Sequence, residues 1–246
     1  MTIFNRDAYT AAIAGWNACL QDYSTIQKLI PSNYIFNLSL DQIGWVKKNN
    51  LYNDFCVDMG VYNNQLVMIL CPLDAKGQKI IVSEYPYSVL SELTNDLSLV
   101  ETEEYTIVKN AVLSKDLRKV DDSSDMYFPV ANMPLMEQDK AVAAIELWRN
   151  EGAIWFYREC NEFKGERIFK SFYVPSANLA PPKEGLNRFV CSFGLKFSEI
   201  YQRTLVTMIF ISFYDNLKNN DNGSVSVEVI SNTYDWSRPC PPICQL

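Results

Sequence analysis

Apolar side chains recur along this chain in two alternating rhythms. Residues 7–20 place Tyr9, Ala12, Ile13, Trp16 and Leu20 at helical spacing, and residues 139–150 place Ala141, Ala144, Ile145 and Trp148 likewise. Each stretch predicts an amphipathic helix. After the first come a strand candidate at 34–38 and Ser39, a residue type that caps helices, ahead of a predicted helix at 40–49. Three β-rich runs then follow, at 55–62, 65–73 and 79–83, separated by Tyr62-Asn63-Asn64 and Asp74-Ala75-Lys76-Gly77 as turns. The second stretch is followed by a strand candidate at 168–174, a loop rich in Pro and Asn at 175–187, and runs at 188–196, 204–214 and 224–230. The last two runs are joined through Asp221-Asn222-Gly223. Consecutive strands with short connections predict an antiparallel meander, with the opening helix covering its apolar face.

The two halves also match in sequence. Ala11-Ala12-Ile13-Ala14-Gly15-Trp16 returns as Ala143-Ala144-Ile145-Glu146-Leu147-Trp148, and the run from Phe55 to Gly60 returns from Phe189 to Gly194. The run Leu66 to Asp74 then parallels Thr207 to Asp215, and Gly77 with 79–83 parallels Gly223 with 225–229. Collinear matches at a slowly growing offset predict a tandem duplication. The expected fold is therefore α+β: two diverged repeats, each an antiparallel β-meander with a covering N-terminal helix. The predicted boundaries are 1–85 for the first repeat, 86–136 for a connector and 137–246 for the second repeat with its Cys/Pro tail. The connector reads as helical from the spacing of Val89, Leu90, Leu93, Leu97, Ile107, Val108, Val112 and Leu113. The acidic stretch 121–125 and the prolines of 129–134 mark an exposed boundary.

Composition narrows the functional classes. The chain has 246 residues, 48% of them hydrophobic, which is enough for a sizeable core. A net charge of −7, with no basic cluster beyond Lys47-Lys48, disfavours a nucleic-acid partner. No N-terminal signal peptide and no membrane helix are read, since the longest apolar run, 205–214, is too short to span a bilayer. Seven cysteines form an odd set scattered through apolar segments, which predicts reduced thiols in a cytoplasmic protein and no disulfide framework. Histidine is absent, which excludes catalytic and metal chemistry that depends on imidazole.

Candidate chemistry is sparse. Cys240 and Cys244 offer two thiolates, but a tetrahedral zinc site needs two further ligands, and the pair reads as part of a Pro-stiffened tail. Cys244 is third from the C-terminus, where prenylation needs the fourth. The groups Asp121, Asp122, Asp125 and Glu101, Glu103, Glu104 could bind divalent cations, yet solvated acidic runs are commoner. Residues 215–223 lack the first acidic ligand of a calcium loop, and no glycine-rich phosphate loop is present. Trp16 and Trp148 lie on apolar helical faces and read as core. Trp155, Phe156 and Tyr157, expected to be exposed after the second helix, are the candidate interface residues together with Cys240 and Cys244. No catalytic, cofactor-binding or metal-binding residue is assigned.

The ending Tyr234-Asp235-Trp236-Ser237-Arg238-Pro239-Cys240-Pro241-Pro242-Ile243-Cys244 resembles that of a group of uncharacterised bacterial proteins, whose aromatic-rich final segment closes on Cys-Pro and a second Cys. The 55–74 hairpin is similar to theirs as well. This resemblance implies a bacterial cytoplasmic setting and no particular activity. The sequence thus predicts a non-enzymatic structural or interaction protein that associates with itself. The alternative is an acidic binding or regulatory protein that neutralises a basic protein partner or holds a small ligand between the two repeats.

Overall fold

The computed structural model describes residues 1–102, 108–113, 115, 138–176, 186–219, 225–234, 237–242 and 244. Its elements are β1 (Ile3–Phe4), α1 (Arg6–Cys19), α2 (Tyr23–Leu29), β2 (Tyr34–Leu38), α3 (Leu40–Asn49), β3 (Asp54–Tyr62), β4 (Gln65–Cys71), β5 (Tyr85–Glu92), β6 (Leu97–Thr102) and β7 (Val108–Leu113). They continue with α4 (Gln138–Phe163), β8 (Ser171–Pro175), β9 (Leu186–Ser198), β10 (Arg203–Asn219), β11 (Val225–Tyr234) and β12 (Arg238–Cys240). The fold is α+β with a mostly antiparallel, nearly closed sheet.

Local chemistry sets the element ends. The Asn5 side chain accepts from Ala8 N at 2.9 Å to start α1, and Asp22 accepts from Thr25 N at 3.2 Å to start α2. Ser39 and Gln42 form a reciprocal capping box at α3, and Gln42 Nε2 also donates to Tyr87 O at 2.7 Å, tying the helix to β5. Asn63 and Asn64 take φ of 49° and 58°, the left-handed pair that a two-residue β3–β4 hairpin requires.

The large sheet runs β11-β10-β9-β2-β5-β4-β3-β8-β12, with β1 also on β5, while β6 and β7 form a separate ribbon. Two pairings cross between the halves of the chain. β2 pairs with β9 (Phe36 opposite Cys191), and β8 pairs with β3 (Phe172 opposite Val57). The sheet's last strand returns toward its other end: Ser237, just before β12, accepts into its hydroxyl from Met208 N and shares a hydrogen bond with Thr207. β12 itself is three residues long and contains Pro239, features that blunt a sheet edge.

Strand alternation divides the apolar side chains cleanly. Phe55, Val57 and Met59 of β3, Leu66, Met68 and Leu70 of β4, Phe189, Cys191, Phe193 and Leu195 of β9, and Val206, Met208 and Phe210 of β10 fill one core, into which α3 sends Ile43 and Val46. The opposite face of β3–β4 is covered by α1 and that of β9–β10 by α4. The helices come close because glycine lies beneath each. A Cβ at Gly60 would meet Ala12 Cβ at 2.9 Å and Ile69 Cδ1 at 3.0 Å; one at Gly194 would meet Ile209 Cδ1 at 2.7 Å and Ala144 Cβ at 3.3 Å. Trp16 and Trp148 both join the first core, as expected, and Trp16 Nε1 is satisfied by Phe169 O at 2.9 Å.

Several expectations are corrected. The predicted helical connector contains β5, β6 and β7 instead; Leu90 turns into one core while Leu93, Leu97 and Leu99 turn into another, so the helical spacing arose from strands serving two faces. Residues 79–83 form no strand beyond a single bridge between Leu73 and Lys79, whose ammonium pairs with Asp58, and the third strand is β5. The second long helix runs on to Phe163, so Trp155, Phe156 and Tyr157 lie inside it. Asp121, Asp122, Asp125, Glu103, Glu104, the 129–134 prolines and the Asp221-Asn222-Gly223 turn lie outside the described residues.

Candidate interaction surface

Helical rotation separates the three predicted aromatics. Phe156 is buried among Trp148 and Phe169, which removes it from the candidate interface, while Tyr157 is exposed and meets Tyr23 edge-on at 5.4 Å. Trp155 stands between them: its Nε1 donates to Thr204 O at 3.0 Å, fastening α4 to β10 and leaving one side of the ring at the surface.

Beside it the β9–β10 hairpin closes over residues 199–202, where Gln202 takes a φ of 49° and its Nε2 donates to Glu199 O at 2.6 Å. This tight closure turns apolar side chains outward. Ile200 is 87% exposed, Phe197 and Tyr201 are exposed beside it, and Ile154 of α4 is exposed as well. Large apolar groups gathered in one place on a surface mark a contact site more often than scattered ones do. Phe197 borders two concavities. One, of about 370 Å³, is lined chiefly by Ile200, Leu205, Val206 and Pro239 and is mainly apolar. The other, of about 330 Å³, lies between α4 and the hairpin and carries Glu151, Glu159 and Glu162 against Arg158, Arg167 and Arg203, beside Trp155.

The second concavity has an unusual charge arrangement. Glu159 is buried, and its Oε1 accepts from Arg167 at 3.0 Å, but its Oε2 has no hydrogen-bond partner. The Arg167 guanidinium stacks on the Phe163 ring at 3.5 Å with its Nε also unpartnered. Burial pushes the Glu159 carboxyl above its ordinary range, against the pull of Arg167 and Arg203. Burial and then repulsion from Arg167 lower Arg203, which forms no ion pair among the described residues. Glu159 Oε2 and Arg167 Nε are thus each a hydrogen bond short, and leaving a buried polar atom unpaired costs about 1–3 kcal/mol.

A second polar cluster is closed by contrast. Asp58 on β3 is buried and receives Tyr9 OH at 2.7 Å, Lys79 Nζ at 2.6 Å, and the thiols of Cys71 at 3.3 Å and Cys56 at 3.6 Å. Burial first, then Cys71 and Asp58, drive the Tyr9 phenol far up. Burial alone would lower Lys79, but Asp58 and the two thiols outweigh it and hold the ammonium charged. The thiols of Cys56 and Cys71 are pushed well up by burial and by Asp58. The shifts of Tyr9, Lys79 and the two thiols each favour the form already present near neutral pH, as befits a network that holds structure.

The tail departs from the expected free thiols. Cys240 and Cys244 form a disulfide with a Cα–Cα distance of 4.7 Å, at the β12 edge and outside the residues lining either concavity. The other five cysteines are free, four of them buried. Among the described residues, no group of three or more His, Cys, Asp or Glu side chains is placed to hold a metal, and no helix is long and apolar enough to cross a membrane. Sequence reading missed Ile200, Glu159, Arg167 and Arg203. Ile200 is a single apolar residue in a turn, and the charged groups meet only through the packing of α4 on the hairpin. The chain matches no protein-family description, no curated protein and no solved structure.

Proposed function

We propose that this chain is a non-enzymatic interaction protein that associates with a second copy of itself through α4 and the β9–β10 hairpin. The observation that carries this reading is Ile200, strongly exposed on the rim of a mainly apolar concavity, so that a protruding apolar side chain and a recess share one patch. A twofold interface needs such a self-complementary surface.

Light scattering behind a sizing column, over a tenfold concentration range, tests the proposal. A dimer that becomes a monomer on Ile200→Asp, with an unchanged melting temperature, is the expected result. A wild-type chain that stays monomeric throughout overturns it.

We also infer that the α1-to-β5 and α4-to-β11 regions are diverged copies that exchange β2 and β8. The recurrence of Ala, Gly and Ile at Ala12, Gly60, Ile69 and at Ala144, Gly194, Ile209 supports this, as do the paired Trp16 and Trp148 and the two cross-half strand pairings. A bacterial cytoplasmic setting is part of the proposal. Five free cysteines support a reducing compartment, where the Cys240–Cys244 bond, with Cys244 exposed, would open.

A further inference from the structure

We infer that the concavity between α4 and the β9–β10 hairpin binds a free α-amino acid with an aromatic side chain, its ammonium group meeting Glu159 and its carboxylate meeting Arg203. The inference does not depend on self-association.

Three features select this ligand class. The first is an unused carboxylate oxygen beside a guanidinium that has no ion pair among the described residues. Glu159 Oε2 lacks a donor, and Arg203 lacks an anion among the described residues. A simple anion would satisfy Arg203 and be repelled by the carboxylate; a simple cation would do the reverse. A ligand bearing an ammonium and a carboxylate on one carbon answers both, and Glu159 and Arg203 line the same concavity.

The second feature is preorganisation. Arg167 is held by its stacking on Phe163 and its bond to Glu159 Oε1, which fixes the carboxylate with its second oxygen unused. A carboxylate beside Arg203 also offsets the repulsion that Arg167 exerts on it. The third feature is the wall. Trp155 is locked by its bond to Thr204 O, and Phe197 faces the same space from β9. Aromatic surfaces held in place favour a flat apolar side chain. A concavity of about 330 Å³ lies at the small end of ligand sites, matched to one amino acid and too small for a folded peptide.

Isothermal titration calorimetry on the full chain tests the inference with L-phenylalanine as the probe. Phenylalanine should bind at millimolar concentration or below. N-acetyl-phenylalanine, which lacks the ammonium charge, and phenylalanine amide, which lacks the carboxylate, should each bind at least about tenfold more weakly. Arg203→Met should lose a similar factor for phenylalanine while leaving the weak binding of the amide unchanged, a split that general unfolding would not produce. Glu159→Gln should do the same with respect to the N-acetyl compound. Binding should persist in Ile200→Asp, which separates failure here from failure of the self-association reading. The inference is overturned if phenylalanine gives no heat at millimolar concentration, or if either blocked compound binds as well as the free amino acid.

Discussion

The two helix-covered faces of the sheet are built alike and finished differently. Under α1, Gly60 lets Ala12 approach β3 and β4; under α4, Gly194 lets Ala144 approach β9 and β10. Beside the first contact, Asp58 has donors for both oxygens, and the cluster is sealed by Tyr9, Lys79 and two thiols. Beside α4's C-terminal half, Glu159 keeps one oxygen unmet and Arg203 stands partly desolvated without an ion pair among the described residues. The same packing solution thus supports a closed polar network in one place and an open one in the other. A closed network contributes to folding; an open one stores interactions that a ligand or partner can complete.

The largest test of that contrast is Asp58→Ala. It leaves the Lys79 ammonium, the Tyr9 hydroxyl and two thiols without their shared acceptor, and breaking a buried pair on one side costs about 3–5 kcal/mol. Because Lys79 is partly exposed, the lower end of that range is expected. Urea denaturation should show it as a lower midpoint at unchanged slope. A loss below about 1 kcal/mol would mean that the network is no more structural than its counterpart.

Next in size are the two glycines. A methyl at Gly60 would press on Ala12 Cβ at 2.9 Å, fixed to the helix backbone, whereas at Gly194 the nearest atom is the flexible end of Ile209 at 2.7 Å. Overpacking of this kind costs about 1–3 kcal/mol. Gly60→Ala should therefore destabilise by about 2 kcal/mol and Gly194→Ala by clearly less. Thermal melts of the two variants side by side decide it, and equal losses would show that α1 yields as readily as the Ile209 side chain.

Much of this frame was legible in the sequence, for identifiable reasons. Ser39 and Asn63-Asn64 announce their cap and turn because each local bond is made within three residues. The Ala-x-x-x-Trp pattern of α1 and α4 is visible because a helix's buried face repeats along the chain. The connector at 86–136 reads as helical in the sequence because its leucines are shared between two cores, and no single periodicity describes that. The aromatics at 155–157 drew attention as a block, yet successive helical residues point about 100° apart, so Phe156 is buried and Tyr157 is exposed. The site charges left no local signal, since Glu159, Arg167 and Arg203 come from a helix, the connection after it and a strand start.

A smaller effect belongs to the cap of α2. Two hydroxyls and a backbone N–H donate to the Asp22 carboxylate, and bonds from Thr25 and then Ser24 lower its pKa to about 2. A carboxyl depressed in the folded state contributes stability above its unfolded pKa, near 3.9, and loses it as pH falls toward 2. Asp22→Ala should lower the melting temperature at neutral pH, because the first-turn N–H of α2 loses its acceptor. Its melting temperature should converge on that of the wild type as the pH approaches 2.

Glu159→Gln should have the smallest effect and the opposite sign. Its folded-state pKa is raised by burial, so the folded chain holds this proton more tightly than the unfolded chain does. The contribution is then most favourable at low pH and is lost as pH rises from the ordinary glutamate range through the raised value. At neutral pH the ionised carboxylate is a small burden, offset in part by Arg167 and Arg203. Glutamine keeps an acceptor for Arg167 and removes the buried charge. The variant should match the wild type to within about 1 kcal/mol at pH 7, with any difference in its favour, and should fall behind it in acid. Melting curves across pH 4 to 8 would show the two lines cross. A neutral-pH loss as large as that of Asp58→Ala would place Glu159 among the structural charges and remove the distinction between the two faces.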